Sequence, residues 1–141
     1  MKKCILAAAV SAMLLCACGQ SESSKADESS ADMTYIKTSV LYDTLMDMYN
    51  APENYLGKKF HIVGTLYTSE DDDGTKIYSV YAKQMGSNEG IGLELDWSDF
   101  SSLENYDKIM VEGTLEQDQG TFHGNETEYL VLRVSALEKR D

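Results

Sequence analysis

Two stretches of this sequence decide its fold: residues 60–67, which read FHIVGTLY, and residues 109–115, which read IMVEGTL. In both stretches apolar side chains recur at every second position, and this period predicts a β-strand with one buried face. Each stretch has a glycine in the buried phase, Gly64 or Gly113, followed two residues later by leucine. Glycines at the same phase of two long strands are typical of a small barrel, in which the strands coil sharply and a Cβ atom would clash.

Three further strands accompany these two. Residues 76–83 (KIYSVYAK) and 91–97 alternate in the same way after the first strand, and residues 128–139 form the last strand. Residues 98–103 predict a short capped helical turn between the third and fourth strands. Three meandering strands, a short helix and two more strands follow the chain order of an OB-fold, a five-stranded Greek-key barrel.

An amphipathic helix is predicted ahead of the barrel, over residues 39–50. Leu41, Leu45 and Met48 recur at helical spacing, and the only proline of the chain, Pro52, ends the pattern. We therefore expect one mainly β domain over residues 34–141, in which this helix precedes an OB-fold-like barrel at 57–139.

The motifs of this barrel resemble those of known bacterial domains. Residues 55–59 (YLGKK) open the first strand, and Asp107 precedes the Val111-x-Gly113-Thr114-Leu115 pattern on the fourth. This combination resembles the OB domains grouped as tRNA-anticodon-like OB lipoproteins, and the extracytoplasmic C-terminal OB-like domain of an uncharacterised permease-associated family. The likeness covers about residues 41–137 and implies a fold more than a chemistry. At residues 83–88 the permease-associated domains carry paired cysteines, whereas this chain reads KQMGSN, so their thiol chemistry is not expected here.

The first 17 residues have the pattern of a bacterial lipoprotein signal. Two lysines precede an apolar run at 4–15, which is too short to span about 30 Å of hydrocarbon. The run ends in Leu15-Cys16-Ala17-Cys18, which resembles a lipobox and implies lipidation at Cys18. The alternatives are a secretion signal without lipidation and a buried N-terminal helix.

Residues 18–33 follow as a tether rich in serine and acidic side chains, a composition typical of flexible segments. We thus expect an extracytoplasmic protein held at the cell membrane by an N-terminal lipid, or at the outer membrane if the source is Gram-negative.

The cysteines offer no chemistry in this interpretation. Cys4 and Cys16 leave with the signal, and Cys18, the last of the three, carries lipid. Cysteine catalysis and zinc sites of the thiolate type are therefore excluded for the mature chain.

The chain is strongly acidic. It has 12 basic and 24 acidic side chains, a formal charge of −12, and residues 34–141 alone hold nine basic against 20 acidic side chains. Because affinity for phosphate backbones comes from Lys and Arg, we expect no binding to nucleic acid.

Catalytic and metal-binding candidates are few. The acidic turn at 70–73 could ligate calcium, but a solvated hairpin tip explains it better, since the EF-hand spacing fails. His61 and His123 are interpreted as surface histidines. Glu94 and Asp96 share one face of a strand, as a carboxylate pair of a hydrolase would. We predict no catalytic residue, no metal and no cofactor, and keep a small carboxylate-dependent envelope hydrolase as an alternative.

Aromatic side chains supply the candidate binding site. OB barrels bind ligands across their second and third strands, where Tyr67, Tyr78, Tyr81 and Trp97 could present their rings. The alternative is that these rings fill the barrel. We predict a non-catalytic binding or accessory module for an envelope protein or cell-wall glycan, and a structural spacer or assembly subunit is the other alternative.

Overall fold

The computed structural model describes residues 32–141. The predicted signal at 1–17, Cys18 and all but the last two residues of the predicted tether lie outside this part of the chain. Within residues 32–141 no helix has the length and apolar character needed to cross a membrane.

Six strands and one α-helix make up the domain. Their bounds are Met33–Ile36 (β1), Leu41–Asn50 (α1), Lys59–Glu70 (β2), Lys76–Lys83 (β3), Gly90–Asp96 (β4), Lys108–Phe122 (β5) and Asn125–Lys139 (β6). The strands are ordered β1-β2-β3-β4-β6-β5, and β5 pairs back with β2 to close a five-stranded barrel. β4 and β6 run parallel, whereas the other barrel pairs are antiparallel. This closed arrangement of five strands confirms the predicted OB-fold-like barrel.

The strand β1 was not predicted. It runs parallel to residues 59–62 of β2, next to the part of β2 that pairs with β3. The four residues of β1 are too few to show an alternating pattern, and Met33 had been assigned to the tether. The pairing with β2 is what makes this segment a strand.

The helix α1 packs against the core of the barrel. Leu41, Leu45 and Met48 are fully buried in the core, as their spacing predicted. The α-helix starts two residues later than expected, after a 3-10 turn at Thr38–Val40. Its Tyr49 hydroxyl donates a 2.7 Å hydrogen bond to the carbonyl of Gly92, on a part of β4 that β6 does not pair.

The segment between β4 and β5 forms turns. The backbone N–H of Ser101 donates to the Asp99 carboxylate at 2.9 Å, and the N–H of Leu103 donates to the Phe100 carbonyl at 3.0 Å. The short helix predicted between the third and fourth barrel strands is thus a single turn, which the Asp99 carboxylate caps.

The two glycines that suggested a barrel lie where neighbouring atoms are closest. A Cβ atom on Gly64 would lie 2.6 Å from Val80 Cγ2, and one on Gly113 would collide with the backbone carbonyl of Arg133. The clash expected from the sequence is therefore confirmed, and Gly113 also adjoins a bulge in the β5–β6 ladder.

The β5–β6 hairpin is longer than predicted. β5 continues past Glu116 to Phe122, and its turn consists of His123 and Gly124, both with positive φ (49° and 80°). Two such residues form the tight turn that suits a β-hairpin. Gly120, which lies outside the strands predicted at 109–115 and 128–139, pairs with Thr127 in the ladder.

Candidate binding face

One outer face of the barrel carries exposed tyrosines. Tyr67 on β2 lies opposite Ser79 on β3, and Ser79 lies opposite Glu94 on β4. Tyr81 lies two positions along β3 from Ser79 and therefore points to the same side. We call the surface formed by Tyr67, Tyr81, Glu94 and the neighbouring Tyr106 the tyrosine face.

Three rings form a cluster on the tyrosine face. The ring centroids of Tyr67 and Tyr81 are 5.3 Å apart, and those of Tyr67 and Tyr106 are 6.1 Å apart. Tyr106 is 66% exposed. These separations are within the range in which aromatic rings contact one another, and the cluster presents a continuous aromatic surface.

Sequence reasoning missed Tyr106, because it belongs to no strand. Its backbone has a φ of 74°, and its N–H donates a 2.8 Å hydrogen bond to the carbonyl of Leu66 on β2. Such a φ is uncommon for a residue with a side chain. No sequence pattern marks it, since the pairing with β2 arises only in the folded chain.

Glycines lie beneath these rings. A Cβ atom on Gly90 would collide with the ring of Tyr81, and one on Gly92 would lie 3.0 Å from Ser79 Cβ. The absence of side chains at these two positions lets the Tyr81 ring lie against β4. The tyrosine face is therefore shallow, with small residues at its floor.

The other two predicted aromatic residues lie elsewhere. Tyr78 points to the inner side of β3 and stacks on Phe100, with centroids 3.9 Å apart and planes 6° apart. Trp97 follows β4 in the phase of the inward-facing residues and is half-buried. The structure thus brings Tyr67 and Tyr81 together on the tyrosine face and places Tyr78 against the core.

Glu94 is the half-buried acid of the tyrosine face. Burial, followed by the negative charges of Asp118 and Asp96, raises the pKa of Glu94 above its ordinary value, and Arg133 partly opposes this rise. Asp71, at the β2–β3 turn, also contributes to the rise.

Arg133 binds three carboxylates beside Glu94. Its guanidinium donates to Asp96 at 2.8 Å, Glu116 at 2.8 Å and Asp118 at 2.9 Å. These hydrogen bonds raise the pKa of Arg133 and lower that of Asp118. Asp96, which the sequence paired with Glu94, is therefore held by Arg133.

The two histidines lie in separate places. His61 Nδ1 is 2.7 Å from Glu112 Oε1 and its ring adjoins Tyr35, whereas His123 Nδ1 is 3.0 Å from Asp72 Oδ2 at the tips of two hairpins. His61 is more buried than expected for a surface histidine, at 18% exposure. Across residues 32–141 no three His, Asp or Glu side chains are grouped to hold a metal ion.

Among solved structures, this chain is similar to a single-stranded DNA-binding protein. It is the small single-stranded DNA-binding protein of Streptomyces coelicolor, with 13% identity over 60% of this chain and 94% of that one, at a TM-score of 0.38. At this score the likeness assigns no ligand to this chain. No family model matches the sequence. No curated protein matches it either.

The expectation that excluded nucleic acid is wrong. The matched structure is a single-stranded DNA-binding protein, which contradicts that exclusion. Net charge was a poor criterion, because proteins that bind single strands combine aromatic stacking with cations at one groove, whatever the charge of the remaining surface. Nucleic acid is therefore not excluded as a ligand.

Proposed function

We propose that this chain is an extracytoplasmic lipoprotein, related to the tRNA-anticodon-like OB lipoproteins and anchored through Cys18. Its OB-like domain is a non-catalytic binding module for an envelope protein or cell-wall glycan. The observation that supports this function is the cluster of Tyr67, Tyr81 and Tyr106 on the outer face of the barrel.

The chemistry of the tyrosine face favours sugars and peptides. A tyrosine ring offers an apolar surface with a hydroxyl at its edge, which suits the faces of pyranose rings and the side chains of extended peptides. Because Gly90 has no side chain, the Tyr81 ring packs flat against β4, and its other face is turned towards a ligand.

The carboxylates on and beside the tyrosine face indicate which class of ligand it can bind. Glu94 lies on it, and the carboxylates of Asp96 and Asp118 lie close enough to raise the Glu94 pKa. The adjacent cation, Arg133, is already bound by three carboxylates. A neutral glycan or a cationic peptide segment therefore fits the charge of this surface.

Binding assays on the mature lipidated protein test this function. We expect Tyr67→Ala/Tyr81→Ala to weaken binding of N-acetylglucosamine oligomers or of a crosslinked partner about 30-fold, at about 1 kcal/mol for each ring. Tyr35→Ala is the control, because Tyr35 is more exposed than Tyr67 (69% against 37%) but lies on β1, outside the tyrosine face. Oligothymidylate of 20 nucleotides is measured in parallel.

Three outcomes decide between the interpretations. Loss of glycan or partner binding in the double variant alone supports the binding module. A stoichiometric membrane-protein partner whose binding ignores both tyrosines would favour the structural spacer. Tight binding of oligothymidylate through Tyr67 and Tyr81 would replace the glycan or protein ligand with nucleic acid.

The anchor is tested separately. Cys18→Ala, or treatment with globomycin, should leave an unprocessed or unanchored precursor, as judged by mass and membrane fractionation. Unchanged membrane retention of the Cys18→Ala variant would contradict lipidation at this residue.

A second candidate function rests on the raised pKa of Glu94. A carboxyl with a raised pKa can serve as a general acid, which is what the hydrolase alternative requires. Glu94→Gln should then abolish hydrolysis of cell-wall fragments while leaving their binding intact. Equal product formation by the variant and the original chain would exclude Glu94 as a catalytic residue.

A further inference from the structure

Most cations of the domain lie on one side of the molecule. Of the nine basic side chains in residues 32–141, six line adjoining surface depressions around β1 and the ends of β5 and β6. We call this surface the basic face; its members are Lys37, Lys58, Lys59, Lys108, Lys139 and Arg140.

These depressions are continuous with one another. Lys59 and Met33 line two of them together, and Val63 and Lys108 line two others. The two pairs meet where His61, in a depression of the second pair, lies 2.7 Å from Glu112, in a depression of the first. Each of the six cations other than Lys59, which is half-buried, is exposed to solvent. The basic face is therefore one surface.

Few acidic residues line the basic face. Three acidic residues, Asp32, Glu112 and Asp141, line the same depressions. Asp107 forms a 2.8 Å ion pair with Lys139 at their border. Of the 21 acidic side chains in residues 32–141, 18 line none of these depressions, although Asp107 and Glu104 lie near enough to raise the pKa of Lys139. The cations of the domain are therefore concentrated on the basic face more than its acids are.

The basic face adjoins the point at which the chain enters the domain. β1 begins at Met33, and the segment from Cys18 leads directly into it. The proposed anchor at Cys18 lies 15 positions before Met33 in the sequence. The chain from the proposed anchor therefore enters the domain at the basic face.

The aromatic character of the basic face fits a lipid surface. Tyr35 on β1 is 69% exposed, between Lys37 and His61 in the same depression. A tyrosine ring suits the boundary between headgroups and acyl chains, and lysines near a membrane attract anionic headgroups. Lys108 pairs with Thr65 of β2, two positions before Tyr67, so the basic face adjoins the tyrosine face at this point.

We propose that the basic face docks on the anionic lipid surface of the membrane that anchors the chain. This inference rests on the lipid anchor of the proposed function. It assigns the anionic headgroup as the ligand of Lys37, Lys59 and Lys108, and it gives the domain a fixed orientation on its tether.

The test uses the mature lipidated protein in vesicles. A fluorophore is attached at Thr34→Cys on the basic face or at Thr75→Cys in the β2–β3 turn, and quenching by spin-labelled lipid is measured. With one part phosphatidylglycerol to three parts phosphatidylcholine we expect quenching at position 34 and none at position 75. Quenching at position 34 should disappear in pure phosphatidylcholine and at high salt, where charges are screened.

A pair of charge-matched variants isolates the basic face. Lys37→Gln/Lys108→Gln should lower the ratio of docked to free domain about 25-fold, at about fivefold for each lysine near the surface. Lys76→Gln/Lys83→Gln removes the same charge from exposed positions outside the basic face, and should leave quenching unchanged.

The results separate this inference from the function on which it rests. Absent quenching at position 34, or equal effects of the two lysine pairs, would overturn the docking while leaving the anchor and the tyrosine face intact. Absence of lipid on Cys18 by mass spectrometry would refute the anchor instead. If Lys37→Gln/Lys108→Gln abolished oligothymidylate binding and left the quenching unchanged, the basic face would be a nucleic-acid surface and the membrane docking would be wrong.

Discussion

Gly113 is the residue at which the barrel tolerates change least. A Cβ atom there would meet the Arg133 carbonyl and Leu132 Cγ, the latter at 2.9 Å. Because the closest atom belongs to the backbone of β6, only a shift of the strand could relieve the clash. We expect Gly113→Ala to lower the free energy of unfolding by about 1–3 kcal/mol, measured by urea denaturation.

A second glycine of the same strand provides the control. A Cβ atom on Gly120 would lie 3.0 Å from the Tyr129 ring, which can move because it is a side chain. Gly120→Ala should therefore cost clearly less than Gly113→Ala. Equal losses in the two variants would contradict the role given to the β5–β6 contact at Gly113.

The raised pKa of Glu94 makes the stability of the domain depend on pH. Its pKa is raised in the folded chain, so the folded state holds the proton more tightly than the unfolded state, and stability falls as pH rises above the ordinary glutamate value. Glu94→Gln removes the ionisable group and therefore this loss of stability at higher pH. We expect the variant to be more stable than the original chain at pH 7 and equally stable below about pH 4. A difference that persisted unchanged at low pH would contradict this cause.

At the scale of elements, the sequence predicted those strands and helices whose apolar residues alternate or recur at helical spacing. β3 was predicted with the observed bounds, and α1 within two residues, because each buries one side in a regular pattern. β1 and the outer half of the β5–β6 hairpin were missed. Neither buries a regular stripe of apolar residues, and both are strands only because a partner strand satisfies their backbone groups.

Only part of the candidate site could be predicted, again because the sequence shows only regular strand and helix patterns. The outward phase of Tyr67 and Tyr81 follows from the alternation of β2 and β3, but Tyr78 shares a strand with Tyr81 and points inward. Tyr106 lies in a turn, where no periodicity applies. Its place beside Tyr67 depends on a hydrogen bond to Leu66, a contact across 40 residues of chain that no local pattern contains.

The contact between α1 and β4 gives an element-scale prediction. Burial, followed by the charge of Glu94, raises the Tyr49 pKa to about 12, and the hydroxyl donates to the Gly92 carbonyl. Tyr49→Phe should cost about 1 kcal/mol in unfolding free energy. It should also remove the tyrosine that ionises last in an ultraviolet titration.

Tyr42→Phe, on the same helix, serves as the control for Tyr49→Phe. Since the Tyr49 pKa is raised, stability attributable to this group is retained up to about pH 10 and falls as pH rises towards 12. A Tyr49→Phe variant with unchanged stability, whose titration still contains a tyrosine that ionises near pH 12, would show that the Tyr49 hydroxyl does not hold α1 on the barrel.

At the scale of the whole molecule, charge separation has a consequence for stability. The acidic surface away from the basic face has Lys76, Lys83 and Arg133 as its only cations within residues 32–141, and Arg133 already binds three carboxylates. Self-repulsion among so many like charges disfavours the compact state. Salt weakens this repulsion, and it also weakens the ion pairs, which are fewer than the unpaired acids.

Stability should therefore rise with salt at pH 7. Between 10 and 300 mM NaCl we expect Tm to increase by roughly 2–5 °C, measured by calorimetry. Glu89→Gln/Glu126→Gln, which removes two exposed acids, should reduce this increase, and Lys76→Gln/Lys83→Gln should enlarge it. Because the two double variants change net charge by the same amount in opposite directions, shifts of the same sign in both would show that the acidic surface does not limit the stability of the barrel.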